Sequence, residues 1–138
     1  MILRKLLPLA FAMLVGAAAP LPTTTFCTAG PYVVHFAAGT AVSEPMGPEI
    51  LDNILGNDAY CDGARIIVDG HIAKGEAEAL AMARAMFVRA YLVEHRVAPR
   101  RVYVRGLGTT EPAPDSRINS IGSRDARVEL RFAPSDDY

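Results

Sequence analysis

The chain has no tryptophan, few aromatics, two cysteines and almost no net charge, and each scarcity removes a class of reading. With 14 basic against 15 acidic residues it lacks the cationic excess that draws proteins to nucleic acid or anionic membranes. Its N-terminal apolar run, residues 6–19, holds fourteen residues, short of the roughly 20 that cross a bilayer. Cys27 and Cys61 form no CxxC pair, and with scattered histidines they make no zinc site. After Gly106 and Gly108 the third glycine of a dinucleotide loop is missing and Pro112 follows, so the segment GLGTTE reads as a turn. Ser120 and Gly122 lack the leading glycine of a nucleophile elbow, because Ile118 stands there. His35 and His71 sit near strand ends without a third ligand, and His95 fits the last turn of a helix. Met82 and Met86 read as helix packing. These absences predict a chain that is not an enzyme and carries no metal or cofactor.

What is present begins with MILRK, a basic start, and the apolar run that ends in small residues, which together form a secretory signal with cleavage expected after Ala18. The alternative is an uncleaved interfacial anchor. Thr24, Thr25 and Phe26 before Cys27 do not form a lipobox, which disfavours a lipid anchor. Cleavage leaves 120 residues, enough for one domain, with 12 basic and 15 acidic side chains and a net charge of −3. An exported chain with two cysteines usually pairs them, so a Cys27–Cys61 disulfide is expected, against the alternative of two separate buried thiols.

Four strands and two helices follow from local pattern. Residues 20–31 are rich in Pro and Thr and read as an extended lead-in, and residues 32–36 as a strand. A helix is expected to start at Ser43, with Glu44 and Pro45 in its first turn, Met46, Ile50, Ile54 and Leu55 on its apolar face, and Gly56 at its end. Residues 65–69 are a continuous apolar strand suited to a sheet centre. A long helix over residues 76–95 places Leu80, Ala85, Val88 and Leu92 on a buried stripe and leaves Arg84 and Arg89 off it, free to reach solvent or a ligand. Pro99 stops that run. Val102 and Val104 alternate with Arg101, Tyr103 and Arg105 in a third strand, and residues 106–125 form a long loop with one helical turn near Asn119. In the last strand, residues 126–132, Val128, Leu130 and Phe132 face inward, and Arg127, Glu129 and Arg131 outward. The order predicts an α+β fold, β-α-β-α-β-β, with a mixed four-stranded sheet and both helices on one face. The domain spans residues 32–133, after the signal (1–18) and lead-in (19–31), and an acidic tail (134–138) closes the chain.

Several of these residues carry a resemblance. Phe36 and Gly39 resemble an opening strand and turn; Leu80, Arg84, Ala85, Val88 and Leu92 resemble an LSxxRAxxVxxxL helix; Gly106, Gly108 and Pro112 resemble a GxGxxxP stretch; Arg127, Val128 and Glu129 resemble the end of NRRVE. Together they resemble the OmpA-like domain, a periplasmic peptidoglycan-binding module also found in Pal and MotB proteins. The resemblance implies non-covalent binding of peptidoglycan in the periplasm, with possible association with the outer membrane. In the family an arginine on that helix grips a carboxylate of the diaminopimelate stem peptide and an aspartate in a Thr-Asp pair takes its ammonium. Arg84 occupies the arginine position and is the expected ligand-binding residue. Ile72 and Ala73 follow His71 where Thr-Asp would stand, and Asp125 and Ala126 replace the Asn and first Arg of NRRVE. The carboxylates available as replacements are Glu76, Glu78 and Asp125, and a structural ion pair between Arg84 and one of them is the competing use of the arginine. The runner-up function is a degenerate envelope protein-interaction module that no longer binds peptidoglycan.

Overall fold

The computed structural model describes residues 16, 18–19, 26–111 and 122–133. The expected signal core, the helical turn near Asn119 and the acidic tail lie outside the described residues. The elements run β1 (Tyr32–His35), α1 (Gly47–Asp58), β2 (Arg65–His71), α2 (Ala79–Glu94), β3 (Val102–Gly108) and β4 (Arg127–Ala133), with short 3-10 turns at Pro99–Arg101 and Gly122–Asp125. The strands form one mixed sheet in the order β1-β4-β2-β3. β2 and β3 are parallel, as a pair joined by a crossover helix must be, and β4 inserts antiparallel between β1 and β2.

Both helices contribute to one apolar core on one face of the sheet. Val34, Ile66, Val68, Val102, Val128, Leu130 and Phe132 meet Leu51 and Ile54 of α1 and Ala85, Val88 and Leu92 of α2, all buried. The alternation expected for β4 holds on this side, because a strand turns successive side chains to opposite faces. Gly70 lets α2 come this close: a Cβ there would lie 1.8 Å from the Ala81 carbonyl oxygen. The lead-in is fastened by the Cys27–Cys61 disulfide and by paired hydrogen bonds in which Thr28 N–H donates to Asn57 Oδ1 (3.0 Å) and Asn57 Nδ2 donates to the Thr28 carbonyl (2.8 Å). Closing that 34-residue separation contributes roughly 3–4 kcal/mol in the loop-entropy view.

Several expectations change. Helix α1 begins at Gly47, with Pro48 in its first turn, and Ser43 instead bridges Phe36 in the antiparallel sense. Gly56 does not stop the helix, which continues to Asp58, and Met46 is exposed. Leu51, on the opposite side of Ile50 from Met46 in sequence, takes the buried place. On α2 the buried residues are Ala81, Arg84, Ala85, Val88 and Leu92, with Leu80 only half-buried. The third strand runs on through Gly106 to end at Gly108, beside Gly70 and His71, so the loop expected from residue 106 begins later. Arg127, expected to face solvent, is buried on the side of the sheet away from the helices.

Candidate functional site

The helix α2 carries Arg84 into the molecule instead of toward water. Its side chain is fully buried, and a buried guanidinium is tolerable only when its donors are met. Here they are. Nε donates to the Thr40 carbonyl (2.9 Å), Nη1 to the His71 carbonyl (3.0 Å) and Glu76 Oε1 (2.8 Å), and Nη2 to the Ala37 carbonyl (3.4 Å) and Glu76 Oε2 (2.5 Å). The Phe36 ring lies 5.7 Å from the guanidinium carbon, giving the cation an aromatic face as well.

Glu76 is therefore held by a two-pronged arginine fork. Two backbone donors complete its cradle: Ala73 N–H to Oε1 (2.7 Å) and Gly39 N–H to Oε2 (2.7 Å). The Glu76 side chain is only 10% exposed. Its bond to Arg84 first, and then the backbone donors, hold its carboxyl down from 4.5 to about 2 against the opposing effect of burial. The loop before α2 makes this possible. Glu76 N–H donates to the Ala73 carbonyl (3.1 Å), closing a turn in which Gly75 adopts φ +90°, a conformation side chains rarely take. Had the helix started at Glu76, eight residues of helical rise would separate it from Arg84 by about 12 Å along the axis. The late start at Ala79 lets the carboxylate fold back.

The other two candidate carboxylates do not reach Arg84. Glu78 lies against Gly108, and Asp125 stands 3.7 Å from Arg127 Nη1. Arg127 Nε donates to Glu129 Oε1 (2.8 Å) and Nη2 to the Glu111 carbonyl (2.9 Å), while Nη1 has no hydrogen-bond partner among the described residues. Nearby His71 is buried, and among the same residues neither ring nitrogen has a partner. Burial first, and the Arg127 charge second, lower its pKa below 6.5. Farther along this face Arg105 grips the buried Asp69 through two bonds (2.6 and 2.7 Å). His35 and His71 do not form a metal site: among the described residues no group of three His, Cys, Asp or Glu side chains could hold an ion. Among the same residues no helix is long and apolar enough to cross a membrane. The clearer depressions, about 270 Å³ beside Gly30, Asp69 and Arg131 and about 350 Å³ beside Ile72, Lys74 and Asp125, are not lined by Arg84.

Arg84 was singled out by the sequence, but its partner was one of three candidates and its burial was not foreseen. A Gly one residue before Glu76, marking a turn where a helix start was read, is the signal that favours Glu76.

The chain is 30% identical over 96 residues to outer membrane protein A of Bordetella avium, a match covering 67% of this chain and 50% of that protein. It thus spans half the length of that relative. Its fold superposes on the peptidoglycan-associated lipoprotein of Burkholderia pseudomallei (TM-score 0.65, 17% identity, 74% of this chain and 90% of the other). It also superposes on the cell wall anchor of the T6SS from Pseudomonas aeruginosa (TM-score 0.58, 24% identity, 73% and 79%) and on a periplasmic domain of Helicobacter pylori MotB (TM-score 0.61, 20% identity, 75% and 72%). The OmpA family model matches residues 35–125, from the end of β1 to the threshold of β4, and the chain belongs to the OmpA family.

Proposed function

We propose that the protein is a non-catalytic envelope module, exported to the periplasm, that holds peptidoglycan non-covalently by a carboxylate of its stem peptide, with Arg84 as the recognising residue. One observation carries this reading. Arg84 and the Ala73 and Gly39 amides, drawn from three different segments, converge on a carboxylate with four hydrogen bonds. Such a cradle is chemically a carboxylate receptor, and planar bidentate recognition is what an arginine fork provides and a lysine does not. The family supports the reading, and so does the sharing of its fold with a peptidoglycan-associated lipoprotein and a cell wall anchor.

The full use of Arg84 by Glu76 favours a second reading, in which the receptor is permanently closed and the domain serves as a protein-interaction module. Pull-down of the purified protein on diaminopimelate-type sacculi separates the two. Retention on sacculi that is reduced by free diaminopimelate is expected. No retention of folded protein moves the assignment to the interaction module. Intact mass and N-terminal sequence of the periplasmic fraction test export: a start near Ala19 is expected, and retention of the first residues in a membrane fraction favours an anchor.

A further inference from the structure

We propose that Glu76 is an internal ligand of the Arg84 receptor, occupying it in competition with an external carboxylate and exchanging with it. This inference deepens the peptidoglycan reading and rests on it for the identity of the external partner. The receptor and its occupant have different mechanical supports. Arg84 projects from α2 and donates to three carbonyls, of Thr40, His71 and Ala37, besides its bonds to Glu76, and any carboxylate that also accepts the Gly39 amide keeps the segment bearing Ala37 and Thr40 in place. The fork therefore keeps its orientation whichever carboxylate it holds.

Glu76, by contrast, reaches the receptor from a turn anchored at the buried Ala73, whose Lys74 and Gly75 are exposed, as are Ala77 and Glu78 after it. Exchange needs only the Glu76 side chain to rotate away from the Ala73 and Gly39 amides, with the turn itself staying in place. Exchange is also favoured over simple opening. An empty receptor would strand a buried, uncompensated guanidinium, whereas an incoming carboxylate restores the same two Arg84 bonds and the same two amide bonds. The cost of exchange is then mainly the advantage of a tethered group. A residue held by so short a turn competes at an effective concentration on the order of millimolar or above. Free monocarboxylates should therefore compete poorly below that concentration.

The test compares sacculus affinity of the wild type with that of Glu76→Gln and Glu76→Ala, each checked for folding. If the internal carboxylate fills the receptor more than nine-tenths of the time, its removal should tighten binding about tenfold or more. Equal or weaker binding by folded variants, with the wild type binding, overturns the exchange and leaves the peptidoglycan reading standing. If no form binds sacculi, that reading falls and a second measurement decides the exchange: melting in sodium acetate against sodium chloride at matched ionic strength. Saturable recovery by acetate of the melting temperature that Glu76→Ala has lost, with no such shift in the wild type, supports it. Failure of acetate to raise Glu76→Ala above the chloride control overturns it. Glu76→Gln keeps the shape of the site and serves where Glu76→Ala does not fold.

Discussion

Arg84 and Arg127 are both buried arginines at the same end of the sheet, one on the helix-covered face and one on the other, yet their surroundings differ in completeness. Every donor of Arg84 has a partner, in a cradle closed by one carboxylate and three carbonyls. Among the described residues, Arg127 Nη1 has no hydrogen bond and the nearby His71 has no partner at either ring nitrogen. Since a buried charge is stable in proportion to how fully it is compensated, the first site should be rigid and costly to disturb. The second should be tolerant of apolar replacement. The contrast teaches that burial of an arginine alone says little; the partner count decides.

The largest expected effect comes from making the same substitution at both sites. Arg84→Met strands the Glu76 carboxylate and three carbonyls and should cost about 3–5 kcal/mol in denaturant unfolding, or abolish folding. Arg127→Met keeps the aliphatic volume and leaves Glu129 and the Glu111 carbonyl able to hydrate, so about 1–2 kcal/mol is expected. Equal losses would break the comparison. Arg84→Ala is accordingly expected to damage the fold as well as any binding, so it does not isolate recognition.

Next in size is the pH signature of Glu76. Its folded carboxyl lies near 2 against 4.5 in the free group, so it binds fewer protons folded than unfolded, and the stability it contributes is present above about pH 4.5 and lost as pH falls toward 2. Wild type should exceed Glu76→Gln by about 3 kcal/mol at neutral pH, the gap narrowing across that window. A pH-independent gap in unfolding free energy would show that the ion pair is not its origin.

His71 gives the smallest effect and the opposite kind of lesson. Its pKa is lowered by burial and by Arg127, so as pH falls through 6.5 the unfolded chain takes up a proton that the folded one resists, and the wild type loses stability. His71→Leu should remove that acid sensitivity, measured as melting temperature between about pH 7 and pH 5, and should cost little at neutral pH because no hydrogen bond is lost. A large loss at neutral pH would reveal a partner for the ring and bring this site closer to the Arg84 kind.

The parts of the fold that depend on local period were legible. Val128, Leu130 and Phe132, and Val88 and Leu92, face the core as their spacing requires. Arg84 stands four residues from both Leu80 and Val88, so its spacing fits the buried stripe and only its charge argued it outward; Arg127 points to the side its alternation requires, and what the pattern misses is that this side is covered there. The start of α1 was misread for a related reason. Ser43 is a good capping residue in isolation, but its backbone is already engaged with Phe36, so the helix waits until Gly47.

The sequence by itself determined the order of elements, the apolar face of the last strand, the Val88 and Leu92 face of α2, the two cysteines available to pair and the arginine that Glu76 later meets, since all of these follow from residue identity and spacing along one segment. The tertiary structure alone decided which of Glu76, Glu78 and Asp125 reaches Arg84, and that the arginine is sealed from water. Those outcomes depend on a turn at Gly75 bringing a carboxylate back across α2 to amides at Gly39 and Ala73. Hydrogen bonds between groups far apart in sequence form only when the whole chain has already fixed their positions.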